Sequence, residues 1–140
     1  MLKNKIFIKM KTKEEYEKIG KTILDCAFEV HKELGPGLME SVYEECLCEE
    51  LRNRGLKVEN QVFLPINYKG KKLEKSFRID VLVEDIIVLE LKSVDGIFPI
   101  YEAQLVTYMK LANKKLGFLI NFNETLLKYG IRRKYNNYFI

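Results

Sequence analysis

The sequence predicts an α/β (α+β) fold, a mixed central sheet flanked by helices. Apolar residues recur at spacings of three and four from Thr12 to about Gly55 and again after Pro99, as on the inner face of helices. Between these regions, from Leu56 to Leu91, the chain is rich in Val, Ile and Leu with turn residues in between, which is strand chemistry. Helices on either side of a run of strands pack as layers over one core. With 140 residues the chain is long enough to bury roughly 70% of its unfolded surface in a single core. Residues 1–11 are expected to be a poorly ordered extension, Met10 being a candidate natural start, and residues 12–140 a single domain.

Each element has its own signature. In "TKEEYEKIGKTILDCAFEVHKELGPG", Thr12 and Glu15 form a capping box, and Tyr16, Ile19, Ile23, Ala27, Val30 and Leu34 make the inward stripe. Gly35-Pro36-Gly37 ends that helix. A second helix, "LMESVYEECLCEELRNRG", turns Met39, Val42, Tyr43, Cys46, Leu47 and Leu51 inward and stops at Gly55. "LKVENQVFLPINYKGKKL" then carries Val58, Val62, Leu64 and Ile66 with a turn near Lys69-Gly70-Lys71, and Pro65 marks an edge strand or a bulge. Ile79 to Val83 and Ile86 to Leu91 read as two buried strands. After Gly96 and Pro99, "IYEAQLVTYMKLANKK" is helical, with Ala103, Val106 and Leu111 expected to carry its packing. "LGFLINF" is a short apolar strand and "YGIRRKY" a last one. No internal repeat or low-complexity tract interrupts the pattern.

Composition narrows the function classes. Lys and Arg number 24 against 20 Asp and Glu, a formal charge of +4. That excess permits a polyanionic partner without requiring one. Three cysteines, Cys26, Cys46 and Cys48, are an odd number placed in helical patterns, which argues for buried thiols in a reducing compartment. A single histidine, His31, leaves no zinc-like cluster and suits a helix-end role. The N-terminal "MLKNKIFIKMK" lacks the apolar core of a signal peptide, and no run reaches the ~20 apolar residues of a membrane helix. A soluble cytoplasmic protein with no membrane partner is expected.

The two apolar strands contain charges that need an explanation: Asp80 in the first, Glu90 and Lys92 at the end of the second. Isolated charges are costly to bury. Glu90 and Lys92 project from one face, about 7 Å apart at ~3.3 Å per residue. If Glu84-Asp85-Ile86 closes a hairpin, Asp80 lies opposite Glu90 and Arg78 opposite Lys92, all on that face. Two adjacent carboxylates repel unless a cation lies between them, and hard oxygen ligands suit magnesium. Such an ion clamps a phosphate oxygen and acidifies a bound water, and Lys92 is placed to orient that water or stabilise charge on phosphorus. Solvent-exposed cross-strand ion pairs, worth about 0–1 kcal/mol each, account for the same residue types, so spacing alone leaves both readings open.

"D-x9-E-L-K" on consecutive strands resembles the PD-(D/E)XK nuclease superfamily, with Asp80, Glu90 and Lys92 on its signature positions. More narrowly, Gly37-x-x-Glu40-x-x-Tyr43 in "GLMESVY" is similar to the pattern that names the GxxExxY family, as are "RIDVLV", "LELKSV", "EAQLVTYMKL" and "GFLINFN". The similarity runs from about Glu14 to Arg133. Ile79 stands where the superfamily often has Pro, a departure it tolerates. The resemblance implies a restriction-endonuclease-like core, Mg2+ or Mn2+ held by Asp80 and Glu90 with Glu40 assisting from the preceding helix, and a nucleic-acid partner, DNA before RNA. Helix-start stabilisation is a rival role for Glu40. Gln104 and Tyr108 resemble a Q-x-x-x-Y element, which implies that Gln104 helps position the site, while Tyr108 fits amphipathic core better. Superfamily nucleases that cut both strands usually pair, which leaves a homodimer open without any residue here arguing for it.

Two further readings remain. Lys69, Lys71, Lys72 and Lys75 near one turn, and Arg132, Arg133 and Lys134 near the end, are either phosphate contacts or solvated edges. A binding module that keeps the nuclease scaffold without turnover is the rival to catalysis. Acid/base chemistry on sugars fits poorly, because Lys92 would lower carboxyl pKa values where the acid partner needs a raised one.

Overall fold

The computed structural model of the chain describes residues 10–140, so most of the expected N-terminal extension lies outside the described residues. Three helices and five strands follow in the order α1 (Lys13–Leu34), α2 (Glu40–Asn53), β1 (Val58–Tyr68), β2 (Lys71–Val83), β3 (Ile87–Lys92), α3 (Pro99–Ala112), β4 (Leu116–Asn121), a 3-10 turn (Leu127–Gly130) and β5 (Ile131–Tyr135). The sheet runs β1-β2-β3-β4-β5. All its pairings are antiparallel except β3 with β4, which are parallel and joined by α3 as a crossover. It is therefore the mixed sheet with flanking helices that the sequence predicts.

The helix ends follow local chemistry. Thr12 and Glu15 exchange side-chain to backbone bonds at 3.2 Å in both directions, the expected capping box. α2 ends with Gly55 at φ 82°, its N–H on Arg52 O at 2.9 Å and the Leu56 N–H on Leu51 O at 3.2 Å. That is a Schellman cap, which needs the left-handed conformation glycine adopts freely. His31 lies late in α1 with Nε2 2.7 Å from Glu124 O, a satisfied structural histidine.

One face of the sheet is covered by α1 and α2, through Ile23, Ala27, Tyr43, Leu47 and Leu51 over Val81, Leu89, Phe118 and Ile120. On the other face Leu105 and Met109 of α3 pack over Leu82, Val88 and Leu119. Five expected inward positions in α2 and α3 are corrected here, as is Leu34, which is exposed at the end of α1. Met39 and Val42 are exposed, because Met39 precedes the first helical residue and Tyr43 sets the inward direction. Cys48 rather than Cys46 is fully buried. In α3 the packing is carried by Leu105 and Met109, while Ala103 and Leu111 face outward. Apolar residues occur on every side of α3, so spacing could not choose the stripe. Gly117 in β4 does: a Cβ there would stand 2.7 Å from Met109 Sδ and 3.0 Å from Leu105 Cδ1, so the missing side chain lets α3 seat closely.

Two hairpins set the registers that matter. Val83 pairs with Ile87, leaving Glu84-Asp85-Ile86 as the connection, with Glu84 and Asp85 at φ 53° and 59° and the Ile86 N–H on Val83 O at 3.0 Å. This is the three-residue loop expected from the charge pattern, and it points Asp80 at Glu90. At the other end, Lys69-Gly70 turns β1 into β2, and the register shifts between Pro65 and Asn67 on the edge strand, as Pro65 foretold. β2 pairs with β3 only over Val81–Val83. Beyond Asp80 the β1–β2 hairpin continues as a two-stranded arm. No helix among the described residues is long and apolar enough to cross a membrane.

Candidate active site

Where β2 leaves β3, the sheet ladder opens and two carboxylates take over its hydrogen bonds. The Asp80 N–H donates to Glu90 Oε2 and the Leu91 N–H to Asp80 Oδ2, both at 2.9 Å. Backbone donors freed in a buried place need partners, and these side chains supply them. Asp80 is 4% and Glu90 5% exposed, so both carboxylates are buried rather than solvent-facing, and Glu90 has no ion pair among the described residues. Arg78, half exposed, donates from Nη2 to Asp80 Oδ1 at 3.2 Å.

These residues line a polar cleft of about 250 Å3 together with Glu40, Lys92, Gln104, Phe63 and Tyr108. The cleft lies at the carboxyl end of β3, between the start of α2 and the flank of α3. All five residues singled out by sequence, Asp80, Glu90, Lys92, Glu40 and Gln104, border it. Lys92 is the last residue of β3, and its Nζ lies 4.7 Å from the centre of the Tyr101 ring. Among the described residues it has no carboxylate within 4.0 Å, so its ammonium remains available to the cleft. A ring face at that distance holds a cation without neutralising it.

Glu40 is put in place by the loop before it. The Tyr43 hydroxyl donates to Gly35 O and accepts the Leu38 N–H at 3.1 Å, while its ring stacks on Phe122 with centroids 4.5 Å apart. Ser93, just past Lys92, donates from Oγ to Leu38 O at 2.6 Å. Gly37 sits at φ 99°, which a side chain disfavours. Each member of the Gly37-x-x-Glu40-x-x-Tyr43 pattern thus has a physical reason: the glycine turns the loop, the tyrosine buttresses it, and the glutamate enters the cleft.

The electrostatics show an excess of negative charge at the strand crossing. Burial first, and the neighbouring Asp80 carboxylate second, push the Glu90 carboxyl up to about 8, against the pull of the Asp80 N–H, Lys92 and Arg78. Burial and Asp80 also raise Glu40. Burial and Glu90 raise the Tyr108 hydroxyl. Hard oxygen donors such as Glu90 and Glu40, whose protons are held first by burial and then by the neighbouring carboxylate, suit a divalent cation in kind and in charge. In this conformation, however, no three acidic, histidine or cysteine side chains among the described residues converge tightly enough to hold an ion unaided.

Sequence reasoning discounted Tyr108 and did not consider Phe63 or Tyr101. Tyr108 stands one turn from Gln104, and that spacing was the available signal. Phe63 reaches the cleft only because it pairs across β1–β2 with Arg78, a register the sequence did not supply.

A family model described as the PD-(D/E)XK nuclease superfamily matches residues 17–134. No match is found among curated proteins. The crystal structure of SSO0001 is similar in fold, with a TM-score of 0.51 and 22% identity over 69% of this chain and 50% of that one. This chain thus spans half the length of SSO0001. With a match over most of its length and the mixed sheet described above, the chain belongs to the PD-(D/E)XK nuclease superfamily.

Proposed function

We propose that the chain is a divalent-metal-dependent phosphodiesterase acting on nucleic acid, DNA in preference to RNA. We place it within the GxxExxY branch of the superfamily, as a single cytoplasmic domain over residues 12–140. The observation that carries this reading is the meeting of Asp80, Glu90, Glu40 and Lys92, which has no ion pair among the described residues, in one polar cleft, with Glu90 raised to about 8. Asp80 and Glu90, assisted by Glu40, are the groups that would hold Mg2+ or Mn2+. When bound, such an ion supplies charge that offsets the developing negative charge on a phosphodiester and favours hydroxide over water.

The chain's own residues do the rest. The Lys92 ammonium, kept from the carboxylates and resting on Tyr101, orients the attacking water or stabilises the phosphoryl oxygens. Gln104 offers an amide that positions the water or the phosphate. Arg78, bonded to Asp80 and half exposed, extends positive charge toward an entering phosphate. Held donors of this kind act on charge only as it develops, which is how they lower a barrier.

One observation favours a second reading, a nucleic-acid-binding module without turnover. Both strand carboxylates already serve backbone N–H groups, and no three acids among the described residues come close enough together to hold an ion unaided. Cleavage of labelled DNA and RNA with Mg2+ or Mn2+, comparing the native chain with Glu90→Ala and Lys92→Ala, separates the two. Loss of activity in both variants supports the enzyme. Cleavage that survives both changes belongs to another site or a contaminant, and salt-dependent binding without cleavage under either metal supports the module. Elution volume and light scattering with and without a duplex decide whether a homodimer forms on substrate.

A further inference from the structure

We propose that the two-stranded β1–β2 arm is a track for single-stranded nucleic acid leading into the acidic cleft, with Phe63 as the stacking platform at its entrance. The inference rests on the nucleic-acid reading above and names the state of the strand that enters.

The arm from 60 to 76 carries four lysines, Lys69, Lys71, Lys72 and Lys75, against one acid, Glu74. It bends where Pro65–Ser76 gives way to Asn67–Lys72, because β2 there has two more residues than β1. A second cleft opens at this bend, about 420 Å3, lined by Phe63, Pro65, Lys72, Lys75 and Ser76 among others. Phe63 borders both this cleft and the acidic one, so its ring stands where a strand passing from one to the other would cross. From Arg78 to Lys72 the path covers about 13 Å, the four steps from Phe63 to Asn67 on the regular partner strand at ~3.3 Å per residue.

The charges on this arm are not used by the fold. Among the described residues, Lys71, Lys72 and Lys75 make no ion pair, whereas Arg133 is bound to Glu17, Lys134 to Glu102 at 2.7 Å and Arg132 to backbone carbonyls. Of the two basic groups in the sequence, only the arm is left for an outside partner. Its exposed aromatic ring decides the class of that partner: Phe63, 67% exposed, borders the cleft that Lys72 and Lys75 line. A paired base keeps its faces stacked on its neighbours. An unpaired base can lie on an aromatic ring, and lysines interleaved with such rings then follow the phosphates.

The test uses the full-length Glu90→Gln chain, which keeps the cleft but should not turn over substrate. Fluorescence anisotropy is measured with a labelled single-stranded DNA oligonucleotide and with its duplex. Expected are tighter binding to the single strand, a loss of roughly 5- to 150-fold in Phe63→Ala, and the same loss in Phe63→Leu, which keeps apolar bulk without a ring. Lys72→Ala/Lys75→Ala should lower the salt slope by about 1.4, at ~0.7 per lost phosphate contact on a single strand. All three positions are exposed, so melting temperatures should not change. Equal binding by the arm variants and their parent overturns the track while leaving the nuclease reading intact. So does duplex preference that is insensitive to Phe63. A parent that binds neither oligonucleotide overturns the nucleic-acid reading itself.

Discussion

Glu90→Gln should stabilise the metal-free protein at alkaline pH. Glu90 is 5% exposed, and burial followed by the Asp80 carboxylate lifts its carboxyl from the ordinary 4.5 to about 8. The folded state therefore keeps a proton that the unfolded chain has already released. A raised folded-state value contributes stability that is fully present below about pH 4.5 and is lost as pH climbs through about 8. Each unit of separation corresponds to about 1.4 kcal/mol. Moving from pH 6 to pH 9 should then cost the native chain about 1–3 kcal/mol, the lower figure allowing for relaxation around the charge. Glutamine retains an oxygen for the Asp80 N–H and carries no titrating proton. In buffer with a chelator, the melting temperature of Glu90→Gln should gain on the native chain by roughly 3–10 °C between those pH values. Parallel melting profiles across pH 6 to 9 would refute the argument, because they would mean that Glu90 is already ionised and well accommodated.

Three other outcomes follow from the same geometry. Asp80→Ala removes the acceptor of the buried Leu91 N–H, and an orphaned donor should cost about 1–3 kcal/mol in denaturant unfolding; Asp80→Asn, which keeps an acceptor oxygen, should recover most of that while leaving cleavage abolished. Tyr43→Phe keeps the stack on Phe122 but frees the Gly35 and Leu38 backbone groups. It should cost about 1–2 kcal/mol and reduce cleavage by loosening Glu40, whereas unchanged cleavage would mean that Ser93 alone fixes the loop. Gly117→Ala places a methyl against Met109 and the Val88 carbonyl, so thermal melting should show a loss of about 1–3 kcal/mol, and an unchanged melt would show that α3 has room to shift.

How much of this was legible in the sequence depends on where the deciding contact lies. The capping box, the Gly55 cap and the alternation of elements are local, and residue identity determines them. The Asp80–Glu90 facing was legible because a turn length converts directly into register. What could not be read depended on contacts between distant segments. Tyr43 reads in the sequence as one more inward residue of the second helix, yet its hydroxyl holds the loop before that helix and its ring stacks on Phe122. The choice of Leu105 and Met109 over Ala103 and Leu111 was made by Gly117 in another strand. Phe63 joined the cleft only through its pairing with Arg78.

Asp80 and Glu90 accept backbone N–H groups where the ladder opens, so their presence has a structural reason, but their charge does not. Asparagine and glutamine at the same positions could accept the same two bonds without mutual repulsion or a buried charge. A fold selected for stability alone would gain by that exchange, since an uncompensated buried carboxylate costs more than a neutral amide. Arg78 does not remove the difficulty, being half exposed and bonded to Asp80 only, and Glu90 remains raised to about 8 with Arg78 and Lys92 both acting on it. Two acids where two neutral amides would serve, one of them holding its proton up to about pH 8, imply a cation that visits the cleft and displaces that proton. A paired comparison is decisive: with a divalent ion present the native chain should regain the stability that Glu90→Gln holds without it. An ion at about 100 times its dissociation constant contributes about 2.7 kcal/mol. If Mg2+ and Mn2+ leave both melting curves where they were, the charge must have another explanation and the metal-dependent mechanism goes with it.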